Sequence, residues 1–422
     1  MLLDEKEMPQ KWVEKAQKLN YKEPMLIQEK AFQILSQQKN IVGISPTGSG
    51  KTLAYLWPLL LKTQPKAGNQ LLILTSSQEL GMQVTNVATD WAQALNLKVQ
   101  SLIGGANVNR QIEKLKEKPE ILVGTPGRVL ELMQKKKLKS HQLKAVVFDE
   151  ADQLLQDETL PLVSNILKIV PNTVQFGFFS ATAGEVLPQI KDLVSENLEV
   201  VDVTKEDQSQ GVINHYYLKV ANRKTVDSLR RLGNLPNFQA LVFFNHLSDL
   251  GNAEEKLRYH KMAVSSIASD QNKEERRSAL QRFKKGAITE LLSTDVAARG
   301  IDINALPFVI NHEVPLTKES YLHRSGRVGR MGAKGYVITL VQENSLGQLK
   351  KLSQELAIDL QEVYLYGGQL LLETPEKEKQ KQVIQKRKKT PKKNTSFVEK
   401  PKTKSHKKNR KRDQKNKGAR RK

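Results

Sequence analysis

The chain contains no cysteine. Disulfides, thiolate zinc sites and cysteine nucleophiles are thereby excluded, and a reducing compartment is compatible. No HExxH or comparable histidine cluster offers a transition-metal site. Aromatic residues make up only 5% of the chain, which argues against an array of base-stacking platforms. No hydrophobic run approaches the roughly 18 residues of a membrane span, and the opening MLLDEKEMPQ is too acidic for a signal peptide. Carboxylates are scarce in one place. From Pro375 to Lys422, 22 lysines and arginines face 4 acidic residues, so about +18 of the net +23 sits there. With almost no apolar residues this segment cannot offset its chain entropy, and it is expected to be a disordered arm that attracts polyanions.

At 422 residues the chain is too long for one ordinary core, and two domains plus a tail is the natural expectation. Between Asn40 and Thr182 short apolar runs (NIVGI, LLILT, VQSLI, EILVGT, AVVFDE, VQFGFFSAT) alternate with helical patterns. The same rhythm returns after the polar stretch TKEDQSQG, in HYYLKV, ALVFFN, AVSSIA, TELLST, FVINHEV and GYVITLV. Alternation at this spacing implies βαβ units and a parallel sheet covered by helices. The fold class is therefore α/β. Residues 1–204 are expected to form one domain, 205–211 a linker, 212–366 a second domain and 367–422 a basic tail.

The first strand runs into SPTGSGKT, Ser45 to Thr52. Ser45 replaces the first glycine of the strict phosphate-loop pattern, but Gly48, Gly50, Lys51 and Thr52 are kept. Glycines let backbone N–H groups turn inward around phosphate oxygens, Lys51 reaches the outer phosphates and Thr52 can ligate Mg²⁺. The stretch AVVFDEADQLL then places Asp149, Glu150 and Asp152 at the mouth of a buried strand, where repulsion and desolvation both cost stability. In a nucleoside triphosphatase such a strand lies beside the phosphate loop. Asp149 holds Mg²⁺, Glu150 polarises the attacking water, and the metal and Lys51 supply the missing positive charge. In the second domain, YLHRSGRVGR carries Arg324, Arg327 and Arg330 at every third residue. Two glycines weaken any helix there, and the arginines read as fingers that meet the terminal phosphate when the domains close.

Across residues 12 to 345 the chain resembles a DEAD-box RNA helicase of superfamily 2, of bacterial type. The resemblance rests on NYKEPMLIQ, SPTGSGKT, SSQELGMQ, the pair Gly104 and Gly105, TPGR, DEAD, SAT, LVFFN, STDVAARGID and HRSGRVGR, in that order. It implies two tandem RecA-like domains and ATP hydrolysis coupled to local, sequence-tolerant unwinding or remodelling of RNA. Catalysis would fall to Lys51, Asp149, Glu150, Arg327 and Arg330. ATP would be bound by Tyr21 and Gln28 at the adenine, by Ser45, Pro46, Thr47, Gly48, Ser49, Gly50, Lys51 and Thr52 at the phosphates, and by Asp302 at the ribose. Gly105, Thr125, Arg128, Thr294 and Gly300 would hold RNA. Asp152, Ser180, Thr182, Asp295, Arg299 and His323 would couple nucleotide to closure, with Ser180 and Thr182 hydrogen-bonding Asp152.

Several positions depart from the family pattern. Where the family usually has Pro-Thr-Arg-Glu-Leu-Ala, this chain has SSQELG, so Gln78 replaces an arginine. Ala268, Ser269 and Lys273 stand where His, Gly and Gln are common, Met25 replaces Thr or Ser, and Leu3 lies near the place of an upstream phenylalanine. These changes sit around adenine and RNA rather than at the phosphates, so an intact ATPase with modest unwinding is expected. A DNA helicase and a passive RNA-binding protein with a vestigial nucleotide site are the competing readings. The family implies ATP and Mg²⁺ as cofactors, RNA as partner, ribosomal precursor particles or RNA-decay proteins as further partners, no membrane and a monomer. Its roles include ribosome assembly, RNA decay and cold adaptation. The composition points to a bacterial cytoplasm, or to a nuclear or nucleolar location if the source is eukaryotic.

Overall fold

The computed structural model describes residues 8–19, 21, 23–182, 186–194, 198–207, 211–268, 270–298, 303, 306–329 and 333–375. Leu3, Ser269, Arg299, Gly300, Asp302, Arg330 and the basic arm from residue 376 lie outside them, as does the Lys273 side chain.

The first sheet contains β1 (Asn40–Ile44), β2 (Leu71–Thr75), β3 (Val99–Leu102), β4 (Ile121–Gly124), β5 (Ala145–Asp149), β6 (Gln175–Ser180) and β7 (Leu198–Asp202). They pair in parallel in the order β3-β4-β2-β5-β6-β1-β7. A second seven-stranded parallel sheet follows. It contains β8 (Ile213–Lys219), β9 (Ala240–Phe244), β10 (Val264–Ile267), β11 (Glu290–Thr294), β12 (Phe308–Asn311), β13 (Gly335–Val341) and β14 (Leu360–Glu362), in the order β10-β11-β9-β12-β13-β8-β14. The two sheets are the tandem parallel-sheet domains expected from the alternating runs. Both belong to one compact unit, Met1–Glu373.

Strands such as LLILT and ALVFF are buried along their whole length, because helices cover both faces of a parallel sheet and leave no wet side. The first sheet accordingly separates two apolar layers. One gathers Trp12, Tyr55, Trp57 and Trp91, with Trp91 edge-on to both Trp12 and Trp57. The other gathers Phe148, Phe176 and Phe178, with Phe148 and Phe178 stacked at 4.5 Å. The aromatic residues near the motifs are thus core, as their place on hydrophobic strands implies.

Two features differ from expectation. The strand that bears the acids is not next to the strand of the phosphate loop: β6 lies between β1 and β5, so that Asp149 pairs with Phe179 and Ile44 with Ser180. The loop and the acids meet across the end of β6. An antiparallel hairpin, β15 (Tyr364–Tyr366) with β16 (Gln369–Leu371), also carries regular backbone past residue 366, where the tail was expected to begin.

Candidate active site at the interface of two domains

The phosphate loop leaves the end of β1 as the Ser45 N–H donates to Ser180 O at 3.1 Å. Ser45 and Ser49 are both fully buried, and their hydroxyls meet at 2.7 Å across the loop. Ser45 does not adopt a positive φ, so a serine serves where the strict pattern has glycine. Gly48 and Gly50 adopt φ of 90° and 83°, a region that side chains disfavour. A Cβ on Gly50 would lie 2.3 Å from Gln28 Nε2. The helix Lys51–Lys62 starts immediately afterwards, and Lys51 Nζ donates to the carbonyls of Ser45 at 2.6 Å and Pro46 at 2.9 Å. Gln28 is buried against this loop: its Nε2 donates to Gly50 O at 3.2 Å and its Oε1 accepts from Met25 N at 3.0 Å. Tyr21 is more exposed, with its N–H held by Ala16 O.

The acids stand at the end of β5. Asp149 is buried and accepts a hydrogen bond from the Tyr55 hydroxyl at 2.8 Å. Burial and then the Glu150 charge push the Asp149 carboxyl up to about 6, against the opposing pull of Tyr55 and Lys51. Glu150 turns the corner with φ 56° and ψ 56°, an uncommon conformation for a residue with a side chain. Its N–H donates to Asp149 Oδ1 at 3.1 Å, and its carboxylate Oε2 accepts from Ser76 Oγ at 2.6 Å. Among the described residues no group of three His, Asp or Glu could hold a metal by itself. Asp149, buried beside a glycine cradle, fits a Mg²⁺ brought in with a nucleotide, which would take its remaining ligands from phosphate and water.

Asp152 faces the second domain. Its Oδ2 accepts from His323 Nε2 at 3.1 Å and from Thr182 Oγ1 at 3.4 Å. Burial acts to raise the Asp152 pKa, yet the His323 hydrogen bond and charge, together with Lys51, outweigh it and hold the carboxyl below its ordinary range. Ser180 does not reach Asp152 as expected. Its hydroxyl donates to Thr182 O at 2.8 Å and accepts from Thr182 N, so it shapes the turn that carries Thr182. Gln153 adds a contact to the other ring nitrogen of His323, at 3.2 Å.

Arg324 and Arg327, the two motif arginines among the described residues, take different places. Arg324 is wholly buried and forks onto Asp295, with Nε to Oδ1 at 2.7 Å and Nη2 to Oδ2 at 2.6 Å. It also donates to Asn245 and Asn311. Arg324 is therefore not a finger but the internal tie of its domain, and Asp295 is its counter-charge. Arg327 lines a small interdomain cavity, of about 60 Å³, with Thr47, Glu150 and His323. Arg324 reaches the same cavity, but its guanidinium is committed to Asp295, Asn245 and Asn311.

On the predicted RNA face, Thr125 precedes the helix Pro126–Gln134. Arg128 donates to Ala106 O at 3.2 Å, Gln111 Oε1 at 3.0 Å and Glu131 Oε2 at 3.0 Å. It thus anchors the loop of Gly105, whose φ is 65°. Thr294 ends β11, where its Oγ1 accepts from Ala297 N at 3.4 Å.

Two family profiles match this chain: DEAD/DEAH box helicase over residues 25–190 and Helicase conserved C-terminal domain over residues 224–332. It is 40% identical over 351 residues to the probable ATP-dependent RNA helicase YfmL of Bacillus subtilis, covering 83% of this chain and 93% of that relative. The chain belongs to the DEAD-box ATP-dependent RNA helicases. DEAD-box ATP-dependent RNA helicase CshC of Bacillus cereus is 36% identical over 366 residues, 86% of this chain and 94% of its own. The helicase also matches the structure of S. cerevisiae Dbp5 bound to RNA and ADP BeF3 with a TM-score of 0.76 at 26% identity. The match covers 88% of this chain and 95% of that one.

The motifs did not single out Tyr55, Ser76, Gln153 or Glu79. Tyr55 sits one turn after Thr52 and so shares its helix face, a signal that could have been read. Gln153 and Glu79 give no sequence signal for their partners, His323 and, at 2.8 Å, Arg276, because each contact depends on two distant segments meeting; Ser76 is marked only as part of the SSQELG departure.

Proposed function

We propose that this helicase hydrolyses ATP with Mg²⁺ in a site completed only when both domains meet, and uses that closure to separate or remodel short stretches of RNA without sequence preference. Asp149 and Thr52 are the residues that would hold the metal. The metal would neutralise charge on the phosphates and polarise the bond that breaks. Gly48, Ser49 and Gly50 present backbone N–H groups to the phosphates, and Lys51 turns from its loop carbonyls to the outer ones. Glu150 accepts a hydrogen bond from the attacking water, and Arg327, with Arg330, stabilises charge on the terminal phosphoryl group. Gln28 and Tyr21 select adenine, and Asp302 holds the ribose. Asp152, Thr182 and His323 couple the nucleotide to closure, together with Ser180 through its turn, Asp295 through Arg324, and Arg299.

RNA is held by Gly105, Thr125, Arg128, Thr294 and Gly300 through its sugar-phosphate backbone, which carries no base identity, while 2′-hydroxyls favour RNA over DNA. The arm beyond Thr374 adds affinity. The chain acts as a monomer in a bacterial cytoplasm, with ribosome assembly, RNA decay or cold adaptation as its setting.

The observation that carries this reading is the single cavity shared by Thr47 and Glu150 of one domain and His323 and Arg327 of the other. The test is Glu150→Gln, assayed for RNA-stimulated ATP turnover and for unwinding of a short RNA duplex. The reading requires both to fall at least a hundredfold while ATP binding persists; retained turnover and unwinding would overturn it.

A further inference from the structure

Residues 76–79, running from the end of β2 into the helix Gln78–Ala92, touch three functional regions with side chains at alternating or adjacent positions. Thr75, the last residue of β2, is in register with Asp149 on β5. The next residue on each strand therefore emerges at the same edge of the sheet, Ser76 beside Glu150, and the Ser76 hydroxyl donates to Glu150 Oε2 at 2.6 Å. Ser77 caps the helix by accepting from Leu80 N at 3.2 Å. Gln78 lies against the glycine pair: Cβ atoms built on Gly104 and Gly105 would sit 3.1 Å from its Nε2 and Oε1. Glu79 Oε1 meets Arg276 Nη1 of the second domain at 2.8 Å.

The family pattern has proline where this chain has Ser76, and proline carries no hydroxyl. Glu150 needs lateral support. Its backbone occupies the left-handed region, where few side-chain geometries are favoured, and its N–H is committed to Asp149. A carboxylate fixed at Oε2 presents Oε1 to a water in one orientation, whereas a free one samples several. We infer that Ser76 is a positioning residue for Glu150, holding the carboxylate for attack from a segment that also contacts the predicted RNA face and the second domain. In the step it serves, the water oxygen bonds to the terminal phosphorus as the bond to the bridging oxygen breaks. ADP leaves with that electron pair, and the water's proton passes by way of Glu150 to the phosphate released.

The inference rests on the reading of Glu150 given above, and the experiment separates the two. Full-length Ser76→Ala, Ser76→Thr and Glu150→Gln are compared with the parent chain at saturating single-stranded oligoribonucleotide, with kcat and the KM for ATP determined for each. The expected result for Ser76→Ala is a fall in kcat of about tenfold, the size of one well-placed hydrogen bond, with KM within about twofold. Ser76→Thr, which keeps the hydroxyl, restores kcat to within about twofold. An unchanged or raised kcat in Ser76→Ala beside an inactive Glu150→Gln overturns the role of Ser76 and leaves that of Glu150 standing. So does a loss that threonine fails to restore, or one that appears only in KM. Turnover retained by Glu150→Gln overturns both.

Discussion

Glu290 is wholly buried at the start of β11 with neither carboxylate oxygen hydrogen-bonded. Burial pushes its pKa up to about 8, so the folded chain keeps it neutral at pH values where the unfolded chain ionises it. The folded state then binds more protons than the unfolded state between the ordinary value near 4.5 and about 8. Stability from this group is complete below that window and is lost as pH rises through it, by at most about 1.4 kcal/mol per pH unit. Glu290→Gln is expected to raise the melting temperature at pH 8 and to change it little at pH 5. Equal shifts at both pH values would contradict the assignment. At Asp149, the Tyr55 hydroxyl does the opposite work of favouring the ion. Tyr55→Phe is expected to weaken Mg²⁺-ATP binding several-fold, measured as the Mg²⁺ concentration needed for half-maximal turnover.

The helix Lys318–Ser325 carries Arg324, the first of the three motif arginines, and Arg327 lies just past its end. Arginines at 324, 327 and 330 look equivalent, because spacing says nothing of which side chain faces a core. In the fold Arg324 is spent on Asp295, Asn245 and Asn311, which ties this helix to the ends of β9, β11 and β12. A lysine cannot reproduce that fork, and it would leave part of a buried ion network unpaired. Arg324→Lys is expected to destabilise the chain by roughly 3 kcal/mol, seen as a lower denaturation midpoint. A change below about 0.5 kcal/mol, the scale of ordinary surface substitutions, would contradict the packing argument.

The interior strands were legible because a strand buried on both faces must be a continuous apolar run, as in NIVGI and LLILT. β7 was not: most of LEVVD is exposed or half-buried, so it lacks that signature. β14, β15 and β16 have only three residues each. The phosphate loop and the acids were legible because their chemistry dictates residue type and spacing. The position of β6 between β1 and β5 was not, since strand order is a property of three dimensions.

At the scale of the molecule, the two sheets are joined by Asp152 with His323, Glu79 with Arg276, and Thr47 with Gly326. A Cβ on Gly326 would lie 1.7 Å from Thr47 Oγ1, although φ of −65° there suits any residue. Gly326→Ala therefore tests close approach without backbone strain. It is expected to reduce RNA-stimulated ATP turnover at least tenfold while ATP binding by the first domain persists; parental turnover would show that the domains need not come this close. Truncation after Thr374 is expected to weaken RNA affinity and to flatten its salt dependence, by about 0.7 log unit per log salt for each phosphate that the arm neutralises. Unchanged affinity would return the arm to a solubilising role.

Central to this helicase is one catalytic centre built by both parallel-sheet domains. A crystal structure of the full chain with an oligoribonucleotide and ADP–beryllium fluoride addresses it most directly. The account predicts the Arg327 guanidinium and the Glu150 carboxylate on opposite sides of the beryllium fluoride group, with Ser76 still bonded to Glu150. Arg327 turned away from that group would contradict it.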